Sequence, residues 1–248
     1  MEQILIVTGG SRGIGAATAQ LAAERGYAVC VNYRRNQAAA SAVVDAIAQA
    51  GGRAIAVAAD VAIENDVVRL FQTVDEQLGG VTALVNNAGI LEQQRRVEDI
   101  DAARLSRILA ANVTGSFLCA REAIRRMSTQ RGGAGGAIVN VSSVAARLGS
   151  PGEYVDYAAA KGAIDTFTIG LAKEVAEAGI RVNAVRPGFI DSDIHASGGE
   201  PNRIGRVKAS IPLGRGGQAI EVARAILWLL SAEASYTTGS FIDVAGGK

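Results

Sequence analysis

Tyr154, Tyr157 and Lys161 all fall within the stretch "YVDYAAAK", on one side of a 3.6-residue helix. Tyr157 is one turn before Lys161, close enough for direct side-chain contact, whereas Tyr154 is nearly two turns away. A tyrosine hydroxyl titrates near pH ~10 and exchanges protons poorly at neutrality unless a neighbouring cation stabilises the phenolate. Lys161 is placed to be that cation. The chain has four lysines against 21 arginines, so a compact ammonium stands where composition favours a guanidinium. The pair suits proton transfer at an oxygen, with Tyr157 as acid or base. The same spacing also serves an ordinary amphipathic helix.

A second chemical feature lies near the N-terminus. "VTGGSRGIG" (7 to 15) follows an apolar run and opens a helical pattern. Gly9, Gly13 and Gly15, spaced G-x-x-x-G-x-G, let the backbone turn sharply and approach a pyrophosphate at a helix N-terminus. A tight strand-to-helix turn would use glycine as well. At the end of the next apolar run, "VNYRRN" places Tyr33, Arg34 and Arg35 where dinucleotide folds that bind NAD carry an acid. An aspartate there would repel a 2′-phosphate, whereas an arginine pairs with it through two parallel bonds. With Arg12 able to reach the same place, NADP(H) is preferred over NAD(H). The alternative is that Arg34 and Arg35 merely begin a solvated helix.

These residues need a scaffold, and the chain supplies an alternating one. Apolar, β-branched runs at 4–8, 28–32, 54–60, 83–89, 137–143, 180–188 and 240–247 alternate with Ala-rich helical stretches. Such alternation requires crossover connections, hence an α/β fold: a Rossmann-type doubly wound parallel sheet of seven strands with helices on both faces. Continuous apolar runs indicate strands buried on both sides. No linker divides residues 1–248, so a single dinucleotide-binding and catalytic domain is expected; "RGGAGGA" (131 to 137) reads as a helix-to-strand loop. Residues 189–216 are irregular and rich in Gly, Ser and Pro, as expected of a substrate lid.

Composition limits the function classes. Of 248 residues, 49% are hydrophobic and 20% charged, which fits a globular protein rather than disorder. A net charge of +1 argues against a nucleic-acid surface, and Arg95–Arg96 and Arg125–Arg126 read as solvated helix faces. Cys30 and Cys119 sit in apolar surroundings as structural thiols, which fits a reducing compartment. No run approaches a membrane span, and "MEQILIVTGG" lacks a basic leader, so the cytoplasm is the expected location. His195, the single histidine, has no Cys or His nearby and suggests no metal site.

"TGGSRGIG" (8 to 15), "NNAG" (86 to 89), Asn112 in "NVTG", Ser143, "YAAAK" (157 to 161) and "RPG" (186 to 188) occur in order. In these motifs, over essentially its whole length, the chain resembles single-domain members of the short-chain dehydrogenase/reductase family. The resemblance implies hydride transfer between a nicotinamide and a carbonyl or alcohol, with Asn112, Ser143, Tyr157 and Lys161 catalytic. Tyr157 would exchange the proton. Lys161 would lower the pKa of Tyr157 and bind the nicotinamide ribose. Ser143 would polarise the substrate oxygen, and Asn112 would help hold a water linking Lys161 to solvent. The implied cofactor contacts are Gly9, Ser11, Arg12, Gly13, Ile14 and Gly15, then Tyr33 and Arg34. Asp60 would receive the adenine amino group beside Val61. Asn86, Asn87, Ala88 and Gly89 would line the ribose and pyrophosphate channel, joined by Tyr157, Lys161, Pro187 and Gly188. Ile190 would hold the carboxamide, with Ser192 where the family often has threonine.

Ser143 precedes Tyr157 by fourteen residues, about one more than the family pattern, which implies an insertion in "SPGEY" and puts Tyr154 at the pocket rim. The family's assembly implies a homotetramer in which helices over 102–128 and 157–178 pair across a dyad. Three functions remain open on the sequence: reduction of a ketone or 3-oxoacyl compound, oxidation of a sugar or polyol, and nucleotide sensing without turnover. An intact catalytic set speaks against the last.

Overall fold

The computed structural model describes residues 2–192 and 198–248. Seven parallel strands form one sheet in the order β3-β2-β1-β4-β5-β6-β9. They are β1 (Gln3–Val7), β2 (Tyr27–Tyr33), β3 (Ala54–Ala58), β4 (Ala83–Asn86), β5 (Gly136–Val141), β6 (Ile180–Pro187) and β9 (Phe241–Val244). All seven sequence-expected strands are present; β2 runs one residue further at each end, and most of the others stop short where the chain turns off the ladder, as β4 does before Asn87–Gly89 and β5 before Ser142–Ser143. Within β1, Ile4 and Ile6 enter one core and Leu5 and Val7 the other. That two-sided burial is why the runs are continuously apolar rather than alternating.

Helices α1 (Gly13–Glu24), α2 (Gln37–Gln49) and α9 (Ala219–Leu230) cover one face. The other face carries α3 (Glu64–Gln77), α5 (Gly115–Met127) and α7 (Val155–Val175). The helix expected over 102–128 is α4 (Ala102–Leu109), a π-helical turn (Ala110–Thr114) and α5. A short α6 (Ala145–Leu148) precedes α7. Among the described residues of the 189–216 segment, β7 (Ile190–Asp191) pairs with β8 (Gly217–Gln218), and α8 (Arg203–Val207) lies between them in the chain. His195 lies outside the described residues. Arg95 and Arg96, expected on a helix, lie in the irregular 90–96 loop, while Arg125 and Arg126 on α5 pair with Glu122 and Arg126 also with Asp75. Among the described residues, no helix is long and apolar enough to cross a membrane.

The strand order reverses between β1 and β4, so the loops leaving their carboxyl ends diverge and open a crevice. The chemically interesting residues all lie around it.

Candidate active site

The phosphate end of the crevice is shaped by backbone. Gly9 and Gly13 have φ of +60° and +53°, in the left-handed region that favours glycine. A Cβ on Gly15 would come within 2.3 Å of the Gly9 carbonyl oxygen, so only glycine lets α1 begin this close to the loop. Asn87 braces the turn, its amide donating to the Thr8 and Gly9 carbonyls at 2.9 and 3.0 Å. Asn32, buried at the end of β2, accepts from the Gly9 amide and donates to the Ala59 carbonyl, latching the loop to the chain leaving β3. Asn32 escaped the sequence reading; its signal is a lone polar residue in an apolar run.

The crevice beside this loop, about 360 Å³, is lined by Ser11, Arg12, Ile14, Tyr33, Arg34, Arg35, Asp60 and Val61, and by Asn87, Ala88, Gly89 and Ser192 opposite. Arg34 lies 3.6 Å from Asp60, whose other oxygen accepts from the Ala62 amide. Asn86 does not line this wall. It is buried and donates to Asn140 and to the Ser116 carbonyl, because β-strand alternation turns it from the side Asn87 faces. Its expected place in the channel is therefore corrected. A cradle of left-handed glycines, free helix-terminal amides and flanking arginines fits a dinucleotide pyrophosphate. Among the described residues, no cluster of three or more His, Cys, Asp or Glu gathers as a metal site.

The chemical end continues from the same crevice as a cavity of about 150 Å³. Ser143, just beyond β5, is near enough to the Tyr157 hydroxyl to pull its pKa down, and its own hydroxyl accepts from the Ala145 amide at 3.1 Å. Ser142 turns the other way, donating to Asp165 at 2.6 Å. Ser143 thus meets Tyr157 despite the long spacing, because α6 and left-handed Gly149, Ser150 and Gly152 take up the intervening chain.

Lys161 donates to the Val141 carbonyl at 2.7 Å and sits over the Tyr157 ring, 5.5 Å from its centroid. Burial pushes Tyr157 up to about 12, with Ser143 pulling it back in part. Burial pulls Lys161 down to about 8 against the attraction of Asp165. In this arrangement the Lys161 ammonium bonds the Val141 carbonyl and faces the Tyr157 ring, so burial and Ser143 set the Tyr157 shift. Asn112 lies in the π-helical turn; its amide donates to the Ile90 and Ile108 carbonyls and its oxygen accepts from the Ile90 amide. Its side chain braces the Gly89–Ile90 backbone.

Two features come only from the tertiary structure. Asp156, one residue before Tyr157, forms a buried 2.6 Å ion pair with Arg104 of α4 and accepts from the Tyr157 amide, fixing the first turn of α7. Tyr154 is 2% exposed and donates to the Gly198 carbonyl at 3.1 Å, making it a strut beneath the 198–207 segment. A Cβ on Gly198 would lie 2.8 Å from Leu91 and 2.9 Å from the Tyr154 hydroxyl, so a side chain there would crowd both.

A family model described as "Enoyl-(Acyl carrier protein) reductase" matches residues 9–248. The chain belongs to the short-chain dehydrogenase/reductase family. Like other members of that family, it is an oxidoreductase. It is 64% identical over 245 residues to "Uncharacterized oxidoreductase YgfF" of Escherichia coli (strain K12), covering 99% of each chain. It is 41% identical over 251 residues to a 3-oxoacyl-[acyl-carrier-protein] reductase of Synechocystis, covering 99% of this chain and 96% of that one. A short-chain type dehydrogenase/reductase from Mycobacterium marinum superposes with a TM-score of 0.93 at 35% identity, covering 99% and 94% of the two chains.

Proposed function

We propose that this family member is an NADP(H)-dependent reductase of a ketone or 3-oxoacyl compound. The observation that carries the proposal is the crevice with Arg12, Arg34 and Arg35 and no acid at the end of β2, joined to a cavity that Ser143, Tyr157 and Lys161 line together. Gly9, Ser11, Gly13, Ile14 and Gly15 would hold the pyrophosphate, Arg34 with Arg12 the 2′-phosphate, and Asp60 and Val61 the adenine side. Asn87, Ala88, Gly89, Pro187, Gly188, Ile190 and Ser192 would line the path to the nicotinamide. The bound cofactor would supply the hydride.

Tyr157 would give its proton to the substrate oxygen, and Ser143 would donate a second hydrogen bond to the same atom. A tyrosine held neutral by burial suits the reductive direction, in which it starts as the proton donor. Lys161, charged below about pH 8, would stabilise the phenolate as it forms. Asn112 would act as a positioning residue through Gly89 and Ile90. The mostly apolar cavity surface favours a ketone over a sugar, most of whose hydroxyls would lose their water for few partners. Residues 189–216 would form the lid. Exposed Leu105, Leu109, Phe117 and Ile169 on α4, α5 and α7 support association into a homotetramer, with the cytoplasm as the proposed location.

Arg34→Asp tests the cofactor assignment. The variant should favour NADH over NADPH in steady-state assays, and unchanged selectivity would sink the role given to Arg34.

A further inference from the structure

The substrate cavity has a charge pattern that the catalytic residues do not explain. Among the described residues, its charged lining side chains are Lys161 and Arg203. Lys161 belongs to the catalytic end. Arg203, in α8, is 94% buried by residue, at 6% exposure, and its guanidinium lies 4.9 Å from the Tyr154 ring centroid and 5.4 Å from that of Phe189. Both rings also line the cavity. A buried cation against a substrate site would ordinarily recruit an anion, since an uncompensated buried charge is costly.

Here the anions are already in place. Arg203 pairs with Glu153, and with Glu200 at 3.0 Å. Arg206 bonds the same two carboxylates, reaching Glu153 at 2.7 Å. Two arginines and two glutamates form a closed box of zero net charge. Neither glutamate lines the cavity, yet each faces the Arg203 guanidinium that does. Glu200 is held down to about 2, chiefly by the Arg206 bond, so it remains ionised at any working pH. A substrate carboxylate approaching Arg203 would meet a cation already bonded on two sides and backed by two negative charges. The rest of the wall carries no charge: Leu91, Val144, Leu148 and Ile190 supply apolar surface beside neutral hydroxyls such as Ser143 and Ser150.

We infer that the cavity selects an uncharged carbonyl compound with a small apolar substituent, and that Glu153 and Glu200 enforce this selection by neutralising Arg203. The inference rests on the reductase reading for its substrate and names the chemical class. The cavity of about 150 Å³ is shared with the nicotinamide path, since Asn87, Gly89, Gly188, Ile190 and Ser192 line both, so only a small reacting end of the substrate is enclosed. Any longer tail leaves through the open side.

Methyl propyl ketone and levulinate test this directly, because they differ in a terminal methyl against a carboxylate. The NADPH-loaded protein is assayed for turnover, and binding of each compound is followed separately by ligand-observed NMR. The wild type should prefer the ketone by about tenfold or more in both readouts. Glu153→Gln and, independently, Glu200→Gln should each improve levulinate roughly tenfold to hundredfold, the range of a hydrogen bond to an unmasked charge. Adding Arg203→Gln to either should remove the gain. A wild type that takes levulinate as well as the ketone would overturn the inference, as would a gain that survives loss of Arg203. Selective binding of the ketone without turnover would instead overturn the reductase reading while supporting the charge selection.

Discussion

Replacing Lys161 with methionine should remove a stability cost that depends on pH. Lys161 is 5% exposed and its ammonium titrates at about 8 in the folded chain, against 10.5 for an unperturbed lysine. At 1.36 kcal/mol per pH unit, holding the charged form inside the fold costs about 3 kcal/mol at neutral pH. Between about pH 8 and 10.5 the unfolded chain binds this proton and the folded chain does not, so the lysine's penalty fades as pH rises. Below that window both states are protonated and the penalty is complete and flat. The stability gain of Lys161→Met should therefore be about 2 kcal/mol smaller at about pH 9.5 than at about pH 7. The lost bond to Val141 lowers both readings and cancels in the difference. Tyr157 and Cys119, both pushed up to about 12 by burial, titrate in both proteins and cancel too. Urea unfolding of both proteins at the two pH values gives the four free energies. A gap between variant and wild type that is unchanged, or wider, at the higher pH would refute the burial argument for Lys161.

Tyr157→Phe should cut turnover by at least about 10²-fold while NADPH affinity, read by fluorescence titration, stays nearly intact. Tyr154→Phe should act mainly on KM, through its strut to Gly198; a collapse of kcat there with little effect at Tyr157 would relocate the proton donor. Asp156→Ala should destabilise the chain by about 3–5 kcal/mol in urea, because it strands the Arg104 guanidinium in the interior. Gly15→Ala should cost about 1–3 kcal/mol and weaken dinucleotide binding sharply, since the new Cβ collides with the Gly9 carbonyl. Calorimetric titration with NADPH measures the second effect.

The seven strands were legible because each is a mostly apolar run followed by polar or glycine residues within a few positions, and two-sided burial writes that pattern locally. The glycine loop was legible for the same reason: its conformation is a property of a few adjacent residues. Ser143 was legible through its place at the end of β5, although the spacing to Tyr157 was unusual. Asn86 was misplaced because "NNAG" does not say which of two adjacent asparagines faces the crevice; the pleat of β4 decides it. The bond from Lys161 to the Val141 carbonyl was not legible either, because i, i+4 spacing brings two side chains near one another without fixing what the ammonium bonds to.

The sequence by itself determined the βα alternation, the phosphate loop and the Tyr157–Lys161 helix turn, since each depends on neighbours within a few residues. Tertiary structure decided the partners of the charged groups. Arg104 meets Asp156 across 52 residues, and Arg203 meets Glu153 across 50. A chain rich in arginine and acids offers many such pairings, and only folding selects among them. Burial likewise separates the proton affinities of Tyr157 and Lys161, and solvent exclusion is a property of the assembled fold rather than of any segment.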